Sequence, residues 1–413
     1  MTHTDGSSAT DDTLLGIVRD DRARLIGALT RWCGDLQRAE DAFAEAVEAA
    51  LRSWPSNPPR NAQAWIVTVA RNRIRDVVRS AAVRTSAALT DEIEDSLESG
   101  PTPSRDDTLG LLFACAHPAL DRGVHAPLIL QVALGASTSD IATAFALPVA
   151  TLAKRLVRAK QKLRANRASF EIPEHIDAGR VQAVLDAIYA AYAVDWLRIA
   201  PLGATERIVE DAIHASQLLL RECPENHEIR GLAALLLLLH SRAAARIAGD
   251  VLVPLDEQDP DDWDHHLISR GNQTLHGGLR YPRQGPPGPY ELQAAIQSAH
   301  ATRTSASETP WPLIAQLYDA LIAETPSMGA QVARAVAIGR AADASAGLAV
   351  LDMLPQRYPA IGTFQAFHAA RGALLRDAGQ AAAAREALQR AHDLCTDIPN
   401  RNYLSRVLAE LDG

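Results

Sequence analysis

The clearest candidate for chemistry is a basic face on one predicted helix, within the segment GASTSDIATAFALPVATLAKRLVRAKQKLRAN (residues 135–166). Pro148 suits the start of a helix, and an apolar stripe at helical spacing follows it. The stripe consists of Leu152, Leu156, Ala159 and Leu163. The neighbouring polar stripe consists of Thr151, Lys154, Arg155, Arg158 and Lys162. A DNA recognition helix needs this arrangement, because its apolar face anchors it while the other face donates to base edges and phosphates.

A short helix is predicted just before this one, with Ile141, Ala142 and Phe145 as its apolar residues. Ser137, Thr138 or Ser139 can cap it, so the segment predicts a helix-turn-helix. All three lysines of the chain lie in the second helix. The alternative is a basic surface helix without a ligand.

A second basic helix is predicted over residues 63–79. Its charge comes from Arg71, Arg73, Arg75 and Arg79, with Asp76 as the single acid. Two tryptophans, Trp54 and Trp65, flank the proline-rich loop before it. Guanidinium groups bind phosphates and aromatic rings stack on unpaired bases, so this helix is a second candidate nucleic-acid face. The alternative is an amphipathic helix with solvated arginines and tryptophans in the core.

No convincing catalytic constellation accompanies these helices. The segment DPDDWDHH (residues 259–266) has metal-ligand residue types, but the same composition is common at polar helix ends. The four cysteines stand singly, without a CxxC pair. The sequence therefore predicts no enzyme, no metal site and no cofactor.

Composition indicates the fold class that positions these residues. Among 413 residues, 47% are hydrophobic and 5% aromatic, which is typical of an alanine-rich helical protein. We predict an all-α fold. Beyond the two basic helices, helical stretches are expected at 178–196, 205–222, 227–245, 289–302, 310–324, 329–353, 364–377 and 381–395.

Charge is distributed unevenly along the chain. The net charge is −9, yet residues 1–170 carry 21 basic and 20 acidic side chains, whereas residues 171–413 carry 20 and 30. Such asymmetry indicates a nucleic-acid-binding part joined to a separate acidic part. The predicted domains are a disordered tail (1–12), a helical domain (13–84), a flexible acidic linker (85–107), a helix-turn-helix domain (108–170) and a helical extension (171–413).

The two helical domains resemble a known family. RAEDAFAEAVEAALRSW (residues 38–54) and AWIVTVARNRIRDVVR (64–79) are similar to region 2 of bacterial sigma factors of the extracytoplasmic-function (ECF) class. LPVATLAKRLVRAKQKLR (147–164) resembles region 4 of the same family. Segments at 113–120, 251–271, 288–301 and 311–327 resemble an ECF subgroup with a long tetratricopeptide-like extension.

The resemblance implies roles for individual residues. The acidic helix of region 2 docks on core RNA polymerase in the family, and its matching positions are Glu40, Asp41 and Glu45. The alternative is a solvated acidic face. Recognition of the −10 promoter element would fall to Trp65, Arg71, Asn72, Arg75 and Arg79, although Trp65 is equally suited to core packing. Recognition of the −35 element would fall to Thr151, Lys154, Arg155, Arg158 and Lys162.

The extension contains one tetratricopeptide-like helix pair, residues 368–394, with fainter repeats elsewhere. Stacked helix pairs either offer a surface for a protein partner or act as an intramolecular brace. We expect a sigma factor that binds core RNA polymerase and promoter DNA and is regulated in cis by the extension. The alternatives are a stand-alone helix-turn-helix regulator and a tetratricopeptide scaffold.

We expect this protein in the cytoplasm and not in the membrane. The first residues lack the basic and apolar regions of a signal peptide, and the longest apolar run, residues 232–239, is far shorter than a membrane helix.

Overall fold

A computed structural model describes residues 14, 16–85, 102–104, 106–145, 147–171, 178–197, 203–283, 285–302 and 309–411. The chain divides into two compact units. The first unit holds residues 1–195 and 202–222, and the second holds 196–201 and 223–413. The predicted tail (1–12) and residues 86–101 of the predicted linker lie outside the described residues.

The first unit begins with the helices that carry the region-2 segments. They are a π-helical turn (Ile17–Asp21), α1 (Arg22–Cys33), α2 (Leu36–Ser53) and α3 (Ala62–Thr85). Gly34 ends α1 with φ +67°, and Asp35 caps α2 by accepting from the backbone N–H of Arg38 at 3.3 Å. Asn61 caps α3 by accepting from the N–H of Ala64 at 3.0 Å.

Four helices with the helix-turn-helix segment follow in the same unit. They are α4 (Asp106–Cys115), α5 (Arg122–Val132), α6 (Thr138–Ala144) and α7 (Val149–Ala165). Of the three candidate caps for α6, Ser137 takes the role, with its hydroxyl accepting from the N–H of Asp140 at 3.1 Å. Pro148 precedes α7 with extended backbone, so the predicted helix-turn-helix is present.

Two helices of the predicted extension belong to the first unit as well, apart from the last two residues of the first of them. They are α8 (Ala178–Leu197) and α9 (Gly203–Glu222). Helix α9 packs on α4, α5 and α6, and the guanidinium of Arg180 in α8 lies 5.7 Å from the ring centroid of Phe113 in α4. The compact unit therefore extends to Glu222, whereas the sequence places a domain boundary at residue 171.

Within its described residues, the second unit consists mainly of nine helices. They are α10 (His227–His240), α11 (His265–His276), α12 (Pro289–Ala301), α13 (Trp311–Glu324), α14 (Met328–Ala341), α15 (Ala344–Arg357), α16 (Gln365–Asp377), α17 (Ala381–Leu394) and α18 (Ile398–Glu410). Short 3₁₀ turns occupy Ala244–Arg246, Leu255–Glu257, Pro260–Asp262, Gly277–Arg280 and Pro359–Thr363. An antiparallel hairpin pairs β1 (Ile247–Ala248) with β2 (Val251–Leu252), with Ile247 opposite Leu252.

Consecutive helices of the second unit pack on one another from α12 to α18. Small residues allow the close contacts: a Cβ on Gly372 would lie 2.5 Å from Leu388 Cγ, between α16 and α17. Leu388 and its neighbour Ala384 are buried there, in agreement with the helix pair predicted at 368–394.

The all-α prediction is confirmed, since the two-residue strands are the sole extended pairing within the described ranges. Two details differ from the predicted helices. The stretch 329–353 divides at Asp343, whose carboxylate caps α15 by accepting from the N–H of Ala346 at 2.9 Å. Helices α11 and α18 were not predicted. Of the helices that the structure describes, none is long and apolar enough to span a bilayer.

Candidate nucleic-acid interface

The predicted basic face of α7 is fully exposed. Its five residues, Thr151, Lys154, Arg155, Arg158 and Lys162, are all on the surface. The apolar stripe Leu152, Leu156, Ala159 and Leu163 is buried, which holds the helix on α5 and α6. The arrangement presents hydrogen-bond donors and positive charge along one line, as entry into a DNA major groove requires.

The predicted residues on α3 lie in a more enclosed setting. Asn72 and Arg79 are exposed, whereas Trp65, Arg71 and Arg75 are half-buried. Trp65, Asn72 and Arg79 follow one another at intervals of seven residues, so they share one side of the helix. The opposite side is buried through Ile66, Ala70 and Ile74.

Trp65 and Trp54 form an aromatic pair. Their ring centroids are 5.5 Å apart at an interplanar angle of 75°, an edge-to-face contact. Trp54 is 2% exposed and belongs to the core, whereas Trp65 is half-buried. One part of the Trp65 ring therefore packs and another part is accessible, and its role in recognition of the −10 element stays a prediction.

The three predicted docking acids of α2 are in different environments. Asp41 and Glu45 are exposed; Asp41 accepts from Gln37 Nε2 at 2.9 Å, and Glu45 pairs with Arg73 of α3. Glu40 is instead buried and forms an ion pair with Lys160 of α7, with Nζ and Oε2 2.7 Å apart. Asp41 and Glu45 are therefore accessible to a partner and Glu40 is not, and the docking role of all three stays a prediction.

Burial dominates the electrostatics of Glu40. It raises the pKa of this carboxyl, and the positive charges of Lys160 and Arg22 offset the effect only in part. Burial also raises the pKa of the Cys33 thiol to about 11 and raises the pKa of Cys115. These two thiols stay protonated at neutral pH, which argues against a reactive cysteine there.

Sequence reasoning missed Lys160 as a partner of region 2. Lys160 follows Leu156 by four residues and precedes Leu163 by three, so its position lies beside the buried stripe and not on the basic face. That spacing was the available signal. Its partner was not visible in the sequence, because the two residues lie 120 positions apart.

The segment 259–266 has a structural role. The carboxylate of Asp259 caps the 3₁₀ turn that follows it, and that of Asp264 caps α11 by accepting from the N–H of Leu267 at 2.9 Å. No group of three or more metal-ligand side chains with metal-binding geometry occurs among the residues described.

Comparison with known proteins gives matches over both parts of the chain. Residues 17–84 match the model of sigma-70 region 2, and residues 180–278 match a family of unknown function (DUF6596). An uncharacterized protein of Rhizobium meliloti (strain 1021) is 36% identical over 404 residues, which cover 94% of each chain. No solved structure matches the chain significantly.

Sigma factors are also among the relatives that match this chain. The ECF RNA polymerase sigma factor SigL of Mycobacterium tuberculosis is 31% identical over 170 residues. That alignment covers 94% of SigL and 40% of this chain, so this chain is much the longer of the two. Together with the match to region 2, this similarity shows that the chain belongs to the ECF family of RNA polymerase sigma factors and carries a helical C-terminal extension.

Proposed function

We propose that the chain binds core RNA polymerase and directs transcription initiation at specific promoters. The observation that carries this proposal is the exposed donor face of α7 in a chain that also contains sigma region 2. The two features are independent evidence for the proposal, because α7 and α3 are separate helices whose exposed faces consist of different residues.

The −35 element is the proposed ligand of α7. Arg155 and Arg158 are three residues apart, so both point to the same side of the helix. An arginine donating two bonds to guanine is the commonest specific contact in the major groove. Lys154, Lys162 and Thr151 extend the face for further base and phosphate contacts.

The −10 element is the proposed ligand of α3. Its half-buried tryptophan offers an aromatic surface on which an unstacked base can pack, while Asn72 and Arg79 supply exposed polar contacts. Arg71 and Arg75, half-buried beside them, would contact the strand backbone. This combination suits single-stranded DNA better than a closed duplex.

Asp41 and Glu45 are the proposed contacts with core RNA polymerase. They lie four residues apart on α2 and are exposed on the same side. Charge complementarity at such a surface mainly sets the rate and specificity of association. Glu40 joins this surface only if Lys160 moves away.

The chemistry of transcription belongs to the polymerase, so we propose a non-enzymatic role in the cytoplasm, where that partner works. Regulation in cis by the extension is part of the proposal. Its structural support is the packing of α9 on three helices of region 4, one of which, α6, is the first helix of the helix-turn-helix. A protein partner for the remaining extension stays a prediction.

Affinity measurements with polymerase and DNA test this proposal. The full chain should co-fractionate with purified core RNA polymerase, and duplex DNA alone should bind weakly. A stand-alone regulator gives the reverse: tight, sequence-specific binding to duplex DNA and no association with core polymerase.

A further inference from the structure

Regions 2 and 4 are joined in the first unit by charged contacts. Lys160 and Glu40 are each 9% exposed, and their ion pair connects α7 of region 4 to α2 of region 2. One turn further along α7, Arg164 pairs with Asp35 at 3.0 Å. These contacts bring the helix proposed to read DNA onto the helix proposed to bind polymerase.

A second set of contacts joins the two regions through α1. Arg31 donates to the buried carboxylate of Asp107 at 2.7 Å, and Arg22 donates to the carbonyl of Val132 at 3.0 Å. Gly27 allows α1 to approach α4 closely, since a Cβ there would lie 2.2 Å from the carbonyl oxygen of Asp107. Region 4 therefore contacts two helices of region 2, α1 and α2.

A groove of about 540 Å³ lies between the two regions. One wall includes Asp41 and Glu45, the exposed docking acids of α2. The opposite wall is α7, through Val157, Lys160 and Arg164. A polymerase element that approaches the docking acids would therefore meet region 4 first, while the five residues of the basic face stay exposed on α7.

Simple dimensions show that this closed state cannot read a whole promoter. Elements centred near −10 and −35 are about 25 base pairs apart, or about 85 Å along the DNA at 3.4 Å per base pair. A compact unit of about 215 residues has a radius of gyration of only about 17 Å. The 20 residues between α3 and α4 can reach about 70 Å when fully extended, which allows the two regions to separate.

We propose that the Lys160–Glu40 pair is a latch that holds region 4 over the polymerase-docking side of region 2. The inference rests on the function proposed above. The chain is in equilibrium between this closed state and an open state in which the two regions are apart. Core polymerase binds the open state only. Apparent affinity is therefore reduced by the fraction of chains that are open.

The ion pair can be removed by a substitution in region 4 that leaves the proposed docking residues of region 2 unchanged. Lys160→Met leaves Asp41, Glu45 and Glu40 in place, but it strands Glu40 as a buried carboxylate without its partner. A buried charge that loses its partner strongly disfavours the state that buries it. This variant should therefore populate the open state and expose the docking side.

The test measures polymerase affinity and size on the full chain. Lys160→Met should bind purified core RNA polymerase at least about threefold more tightly, because the open fraction rises by that factor. Small-angle scattering should show a larger radius of gyration than the parent. Arg122→Met removes an exposed cation from region 4 outside the interface and should change neither quantity.

A double variant keeps the test independent of folding. Glu40→Gln with Lys160→Met removes both charges of the ion pair, so its radius of gyration should return to the value of the parent; this variant is compared by size, because Glu40 belongs to the proposed docking residues. The latch is wrong if Lys160→Met leaves affinity and size unchanged, if it weakens polymerase binding, or if the double variant is as expanded as Lys160→Met. Absence of saturable polymerase binding by every form, the parent included, would instead overturn the proposed function.

Discussion

Helices α7 and α3 both carry basic residues, yet they present them differently. On α7 the polar face is fully exposed and the buried stripe is separate from it. On α3 three of the five proposed contacts are half-buried, and Trp65 packs against the core residue Trp54. A rigid exposed face suits duplex DNA, whose pattern of donors and acceptors is already formed. A partly enclosed aromatic face suits bases that have left the stack.

The largest effect that would separate the two helices is expected on α7. Arg155→Ala with Arg158→Ala removes up to two base or phosphate contacts, each worth about 1–3 kcal/mol. Promoter-specific run-off transcription should fall by an order of magnitude or more, while binding to core polymerase persists. Arg270→Ala with Arg390→Ala removes the same charge from exposed positions of the second unit and should leave transcription unchanged.

Trp65 provides the corresponding test on α3. Trp65→Ala removes a stacking surface worth about 1–3 kcal/mol per base, so strand opening should fall about fivefold or more. Permanganate reactivity of promoter thymines measures that opening. Binding of the −35 element in duplex DNA should be preserved, because α7 is untouched. Equal loss of duplex binding and opening would remove the distinction between the helices.

The proposed docking acids of α2 test whether the chain brings both helices to the promoter through polymerase. Charge reversal by Asp41→Lys with Glu45→Lys should weaken binding to core polymerase several-fold. Exposed ion pairs contribute about 0–1 kcal/mol each, so the melting temperature should change little. Glu48→Lys, on the same helix and also exposed, is the matched control in a fluorescence titration. Unchanged affinity of the double reversal would show that polymerase docks elsewhere.

The smallest effect is expected from the boundary of the first unit. A chain ending after Glu222 keeps α8 and α9 on region 4, whereas one ending after Arg167 loses them. Exposure of the apolar surface under α9 should lower the melting temperature of the shorter chain by about 4 °C or more relative to the longer one. Circular dichroism measures both. Equal melting temperatures would place the domain boundary at residue 171 after all.

Local sequence patterns predicted the basic face well and its surroundings poorly. The stripes of α7 follow from side-chain spacing within one helix, so they could be read directly, and the cap of α6 could be narrowed to three residues that include Ser137. The burial of Glu40 could not, because it depends on a lysine 120 residues away in another helix. The inclusion of α8 and α9 in the first unit also rests on tertiary packing, which composition does not record.

The resemblance to ECF sigma factors supplied what spacing could not. It separated α3 from an ordinary amphipathic helix, and the match of residues 17–84 to sigma-70 region 2 supports that assignment. The individual contact residues remain predictions. Their exposure now distinguishes Arg155 and Arg158, which are accessible, from Glu40, which is not.

Run-off transcription with purified components tests the central claim most directly. Core RNA polymerase is incubated with fragments of the source genome, with and without the full chain, and the transcripts are mapped. We predict discrete transcripts that require the chain and disappear with Arg155→Ala and Arg158→Ala. The same transcripts with and without the chain, under conditions where a known sigma factor is active, would contradict the account.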